Sequence, residues 1–265
     1  MTDRSDIDHR LAYSCNCGWI DKGHAGIGRF RVVNTDLTQG AINLWKQIQS
    51  EMYGTSDTIN NKPCFRVHYR QAMGTTTNSQ VLRKLFAFDG KTLLRVSHFG
   101  HYLVQKGLPK ERKEEIALRI FLDVSYGFES MQSGFPFFLS SGFSQEDLIS
   151  NLLGFYSAVR GVSEGQIKQL CQFTSKHASL AVWDAQIKNG KIGDVKNRDS
   201  AKPNFYPCSE CKTQPQFPSL FKSIKRAMPT GDFIQYKQDP ELPRGQPVRN
   251  YDALGNVIKK PATVK

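Results

Sequence analysis

"PKERKEEIALRIFLDVSYGFES", Pro109–Ser130, decides the fold. Proline suits the first turn of a helix because the N–H it lacks would have no partner there. After the charged run Lys110–Glu115, the apolar residues Ile116, Ile120, Val124 and Phe128 recur every four positions, with Ala117 and Phe121 beside them. That period predicts a long helix with one face laid on a core. Glu129 follows the last apolar residue of the stripe, which places a carboxyl group at the end of a buried helix.

Upstream, Phe65, Val67 and Tyr69 alternate with polar neighbours in "CFRVHYRQAM" (Cys64–Met73), and "LRKLFAF" and "KTLLRVSHF" flank Asp89-Gly90. Alternation predicts half-buried strands, and Asp-Gly is a strong hairpin signal, so a small antiparallel sheet is expected over about 64–105. Earlier still, Ile42, Trp45 and Ile48 fall at helical spacing in "AINLWKQIQSEM" (Ala41–Met52). Downstream, Ser144 with Asp147 three residues on resembles a capping box, opening a helix through Leu148, Leu152 and Phe155. One further helix is expected over Glu164–His177. The whole reads as an α+β fold with a mainly helical core, a small antiparallel sheet and an extended C-terminal tail. Residues 1–185 form the expected catalytic α+β domain, 186–238 a loop-rich segment packed on it, and 239–265 the tail. "YDALGNV" in that tail resembles a single YD-repeat unit, without a period to support it.

The chain has 265 residues, 39% of them hydrophobic, enough to bury a core and too apolar for a disordered protein. Lysines and arginines number 36 against 24 acids, a net charge of +12. Such a charge favours polyanionic partners: an anionic cell wall, nucleic acid or anionic lipid. No zinc-finger, Gly-x-x-Gly or RRM-type signature singles out nucleic acid, which nonetheless stays open as a partner. No run of eighteen apolar residues predicts a membrane span. "MTDRSDIDHR" has no apolar h-region, so no signal peptide is expected. The expectation is a protein cytoplasmic in its producer and exported by a signal-independent route.

"YSCNCGWIDKGHA", Tyr13–Ala25, gathers thiols, a carboxylate and an imidazole within thirteen residues. Asp21 and His24 are three apart and can share one face of a turn, where Asp can orient His as a base. Cys15 could serve as a nucleophile where a nearby imidazole lowers its pKa. The six cysteines are Cys15, Cys17, Cys64, Cys171, Cys208 and Cys211. Cys15-x-Cys17 and Cys208-x-x-Cys211 could bind zinc or form disulfides, and spacing alone leaves both open. His98 and His101 could join His24 at a metal, whereas His68 and His177 read as structural. The preferred reading has no metal and no cofactor.

The pattern Tyr13-x-Cys15-x-x-Gly18-Trp19-Ile20-Asp21-x-x-His24 resembles an uncharacterised bacterial family, domain of unknown function 4056. "YGFES" (Tyr126–Ser130) and "FSQEDLISNLLG" (Phe143–Gly154) follow in the family's order, with Phe128 where the family carries histidine. The resemblance implies that Cys15, Asp21, His24, Glu129, Glu146 and Asp147 belong to one site, and it supplies no reaction. "YGFESMQSGF" also resembles the catalytic segment of lysozymes and lytic transglycosylases, in which an apolar pocket raises the pKa of a glutamate that acts as general acid.

The leading expectation is therefore a peptidoglycan hydrolase. Glu129 is its general acid, His24, Asp21 and Cys15 are further catalytic candidates, and Trp19, Tyr126 and Asp147 are substrate contacts. A thiol hydrolase with Cys15 as nucleophile and His24 as base is the first alternative. A nucleic-acid binder or nuclease and a non-enzymatic interaction module are the others. A toxin delivered to a competitor's periplasm, with an immunity protein as partner, suits the charge and the absent signal.

Overall fold

The computed structural model describes residues 2–27, 37–76, 93–133, 142–187, 190–236, 249–256 and 258. A hairpin comes first (β1, Leu11–Ser14; β2, Gly18–Asp21), then helix α1 (Ala41–Gln49) and strands β3 (Tyr53–Ile59), β4 (Lys62–Thr76) and β5 (Leu93–Gln105). Helices α2 (Lys110–Ser133), α3 (Asp147–Arg160), α4 (Glu164–Cys171) and α5 (Lys176–Gln186) follow, then strands β6 (Phe233–Gln235) and β7 (Asn250–Tyr251). The class is α+β. Among the described residues no helix is long and apolar enough to cross a membrane.

The stripe on α2 does what its period predicts. Ile116, Ile120 and Val124 are fully buried, and Phe121 and Phe128 nearly so. Each such side chain contributes about 1.5–3 kcal/mol relative to its exposed state. The stripe rests on the inner face of β4 and β5, where the Phe121 ring lies 6.0 Å from that of Tyr69. Leu44, Trp45 and Ile48 of α1 and Ile149, Leu152 and Phe155 of α3 complete the same core. Ile42 of α1 faces solvent instead, and Gln47 is buried, donating to the Leu37 and His68 carbonyls.

The sheet has five strands in the order β6-β5-β4-β3-β7, antiparallel except for the β3–β7 pair. Phe65, Val67 and Tyr69 point into the core, as their alternation predicts. Strand β3 was not expected, because among its residues only Ile59 is buried and the alternation is weak. It joins β4 through Asn60-Asn61, both at positive φ (49° and 62°), the pair of conformations that a type I′ turn requires. Asp89-Gly90 and "LRKLFAF" lie outside the described residues. Residues 93–99 of "KTLLRVSHF" pair with 70–76 of β4.

Two further expectations are corrected. The single helix over Glu164–His177 is two, broken at Gln172 (φ 54°). Here the hairpin competes for the backbone: Cys15 and Asn16 N–H donate to the Gln172 and Cys171 carbonyls, and Thr174 N–H donates to that of Tyr13. Ser144 does not cap α3, which starts at Asp147; its hydroxyl donates to the Glu146 carboxylate.

Parts of the C-terminal third are built into the fold. Phe217, Phe221, Ile224 and Ala227 belong to the main core. Asn250–Tyr251, within the segment read as a tail, adds to the sheet edge, and Tyr251 packs with Ile59, Cys64, Leu103 and Ile234. Residues 237–248, 257 and 259–265 lie outside the described residues.

Candidate functional site

The hairpin β1–β2 carries the opening segment of the chain and is buried on both faces. Gly18 opens β2 at φ +67°, and a Cβ there would fall 2.5 Å from the Asn204 carbonyl oxygen. Only glycine lets the 203–206 segment close over the hairpin. Two disulfides pin it, Cys15–Cys211 and Cys17–Cys171, joining residues 196 and 154 apart.

These bonds correct two expectations. The sulfur of Cys15 is committed to Cys211, so it is not a thiolate nucleophile, and the thiol-hydrolase reading loses its reacting atom. The four-thiolate zinc set is likewise dissolved, since Cys17 pairs with Cys171 and Cys208 remains a free thiol. Trp19 is also reassigned. It is 2% exposed and stands edge-on to Tyr13 (5.3 Å) and Trp183 (5.7 Å), packed as a core side chain.

Past β2 the chain turns sharply over Asp21–Gly26. One carboxylate oxygen of Asp21 accepts from Gly23 N–H (2.7 Å) and His24 N–H (3.3 Å), a local Asx-type turn. The other accepts from Arg10 Nη2 at 2.5 Å. Burial would raise the pKa of Asp21, but the positive charges of His24 and Arg10 outweigh it and hold this carboxyl below its usual range. The Asp21 N–H donates to Ser150 Oγ, and that hydroxyl donates to the Glu146 carbonyl. The turn is thereby fastened to α3. Gly154 allows the close approach, since a Cβ there would lie 2.5 Å from the His24 carbonyl oxygen.

At the start of α3, Asp147 Oδ1 lies 3.4 Å from His24 Nδ1. Protein encloses most of the imidazole, while 35% of its side chain stays open to solvent. Burial alone would lower its pKa. The Asp147 hydrogen bond and the charges of Asp21, Asp147 and Glu129 overcome that and lift it to about 9, an effect that water at the open edge moderates. The carboxylates around His24 thus favour its imidazolium form.

Glu129 reaches the same place from α2. It is 1% exposed, and its Oε2 accepts from the Phe143 N–H at 2.9 Å. Burial first, and the nearby Asp147 charge second, push its pKa from 4.5 up to about 8. Glu146 responds in the same way, to about 7, although Thr2 Oγ1 and Ser144 Oγ donate to its two oxygens. Asp21, His24, Glu129, Glu146 and Asp147 therefore meet in one hollow, assembled from the hairpin turn, α2 and the α3 start. Arg10 completes it and was absent from the sequence reading. The hairpin register holds the signal that could have found it: Leu11 pairs with Asp21, so Arg10 flanks that carboxylate.

The other candidates lie elsewhere. Tyr126, 40% exposed, sits one turn before Glu129 and packs on Phe143 at 4.7 Å. His98 and His101 project from opposite faces of β5. His98 packs on Gly127 of α2, while His101 Nδ1 meets His68 Nδ1 at 2.8 Å. A shared metal with His24 is therefore geometrically closed to them. Among the described residues no three His, Cys, Asp or Glu side chains are placed to hold a metal ion. No family model, no curated protein and no solved structure matches this chain.

Proposed function

We propose that this chain is a hydrolase of bacterial cell-wall glycan, with Glu129 as its general acid. The observation that carries the reading is the placement of Glu129: its carboxyl group is buried at the α2 side of the cluster beside the Asp147–His24 pair, where burial and the Asp147 charge favour its protonated form. Glycosidic cleavage needs such a group, because the leaving oxygen must take up a proton as its bond to carbon breaks. In the proposed reaction Glu129 gives that proton to the leaving oxygen. A water molecule bonds to the anomeric carbon, and Asp147 takes the proton it releases. His24, hydrogen-bonded to Asp147 and wet on one edge, returns the site to its starting protonation by exchange with solvent. Asp21, tied to Arg10 and two backbone N–H groups, positions the His24 turn.

Two long-range disulfides suit an oxidising compartment, and the net charge of +12 suits an anionic envelope. Both favour action in a bacterial periplasm, and delivery there as a toxin would call for an immunity protein in the producer. The test is digestion of purified peptidoglycan followed by muropeptide mass spectrometry. Glycan-strand cuts by the native chain, lost in Glu129→Gln, support the reading. Peptide-bond cuts, or glycan cuts that persist in Glu129→Gln, overturn it.

A further inference from the structure

A cleft of about 690 Å³ opens on the other side of Phe143, between the second half of α2, the inner face of β5 and the Arg198–Ser200 turn. On α2 it is lined by Arg119, Leu122, Asp123, Tyr126 and Gly127. That face leads within one turn to Glu129, and Leu148, next to Asp147, lies at the same end.

Its charges are unevenly spent. Asp123 is the acceptor for two guanidinium groups, Arg119 at 2.5 Å and Arg226 from the opposite wall. Each guanidinium carries more N–H donors than this one carboxylate can engage. Arg198 lies over the Phe143 ring with its guanidinium carbon 4.6 Å from the ring centroid, and it lines the cleft. Behind them the Tyr102 side chain lines the wall; its hydroxyl is buried and has no hydrogen-bond partner among the described residues. Ser200, Asp199 and Gln235 add neutral and anionic polar groups, and Tyr126 adds an aromatic ring at the rim.

We infer that this cleft is a subsite for an acidic sugar. The Arg198 and Arg226 guanidinium groups take its carboxylate, the Tyr126 ring takes its apolar face, and Asp199, Ser200 and Gln235 take its hydroxyls. Guanidinium groups bind carboxylates through paired N–H···O bonds, and sugar rings present C–H faces to aromatic side chains. The inference rests on the glycan reading above and deepens it, since a muramyl residue stripped of its stem peptide carries a free lactyl carboxylate that a glucosaminyl residue lacks.

The experiment measures binding without turnover. N-acetylmuramic acid and N-acetylglucosamine, which differ by that lactyl group, are titrated into the full chain carrying Glu129→Gln, followed by calorimetry or NMR shifts. The acidic sugar should bind at least tenfold more tightly. Arg198→Gln and Arg226→Gln, both at exposed positions, should each erase most of that preference without changing the thermal midpoint by more than a few degrees. Inorganic phosphate should compete only weakly if the ring contributes. Equal binding of the two sugars, no binding of either, a preference untouched by both arginine changes, or phosphate as strong as the sugar would each overturn the inference. Discrimination that persists while glycan strands go uncut would sink the catalytic assignment of Glu129 and leave the subsite standing.

Discussion

The acidic hollow and the arginine-lined cleft lie one turn apart on α2 and treat charge in opposite ways. In the hollow, four carboxyl groups are crowded out of water with one arginine and one histidine. Ionising all of them is costly, so burial and mutual repulsion raise the pKa values of Glu129 and Glu146. In the cleft the guanidinium groups of Arg198 and Arg226 remain in contact with solvent, and a single Asp123 carboxylate serves two arginines. Dehydration turns charge into a proton to be donated, whereas hydration leaves it available for binding.

The sharpest break between the two regions is kinetic. Glu129→Gln keeps the volume and removes the proton, so kcat on peptidoglycan should fall by about a hundredfold or more. Arg198→Gln should instead raise KM several-fold with kcat nearly intact, read from initial rates of glycan cleavage. If both changes act on kcat alike, the division between a chemical hollow and a binding cleft is wrong.

Next in size are the disulfides, which support the hollow and touch the cleft little. Cys17→Ser should cost about 2–5 kcal/mol in urea unfolding, because the bridge closes a loop of 154 residues. Dithiothreitol should lower stability and activity together. Activation by reductant would instead revive a thiol mechanism at Cys15.

A smaller loss is expected at Gly154→Ala. The added methyl meets the His24 carbonyl at 2.5 Å, and pushing the turn away should cost about 1–3 kcal/mol and weaken the His24–Asp147 contact. Serine or alanine at Gly161, where no atom lies within 4 Å of a Cβ but φ is +67°, serves as a control for backbone strain alone.

The gentlest probe is pH. Glu129 and Glu146 have folded pKa values of about 8 and about 7 against an ordinary 4.5, so between these limits the folded state holds protons that the unfolded chain has released. His24, raised from 6.5 to about 9, acts in the same sense at higher pH. Stability from all three is full below their unfolded values and is lost as pH rises through the folded ones. Asp21, held low, opposes this only in acid, where its contribution is lost as pH falls. The melting temperature should therefore decline from pH 5 to pH 9, and Glu129→Gln should flatten the decline over pH 5–8. An unchanged slope in that variant would remove Glu129 from the buried, protonated state assigned to it.

Much of this was legible before folding was considered. The four-residue period of Ile116–Phe128 announced a buried helix face, and Glu129 directly after it had to end near the same core. Asp21 and His24 share a turn because three residues is the span of one. The Thr2–Glu146 contact was hidden, since a hydrogen bond between residues 144 apart leaves no period, whereas Arg10 could be placed beside Asp21 only through the hairpin register. Strand β3 was hidden because its side chains are mostly exposed and carry little apolar alternation. The two half-helices α4 and α5 read as one, since the hairpin that claims the backbone at 171–174 comes from the other end of the chain.

Local pattern by itself determined the buried face of α2, the inner face of β4 and the carboxyl group that follows the α2 stripe, because those follow from side-chain periods within a single segment. Tertiary structure alone decided that Cys15 would be bonded to Cys211 and lost as a nucleophile, and that Trp19 would be core. It also decided that the acids would share one dehydrated hollow, with the arginines gathered in a cleft next to it. Bond partners and shifted protons depend on distances between segments, and only the closed fold sets those distances.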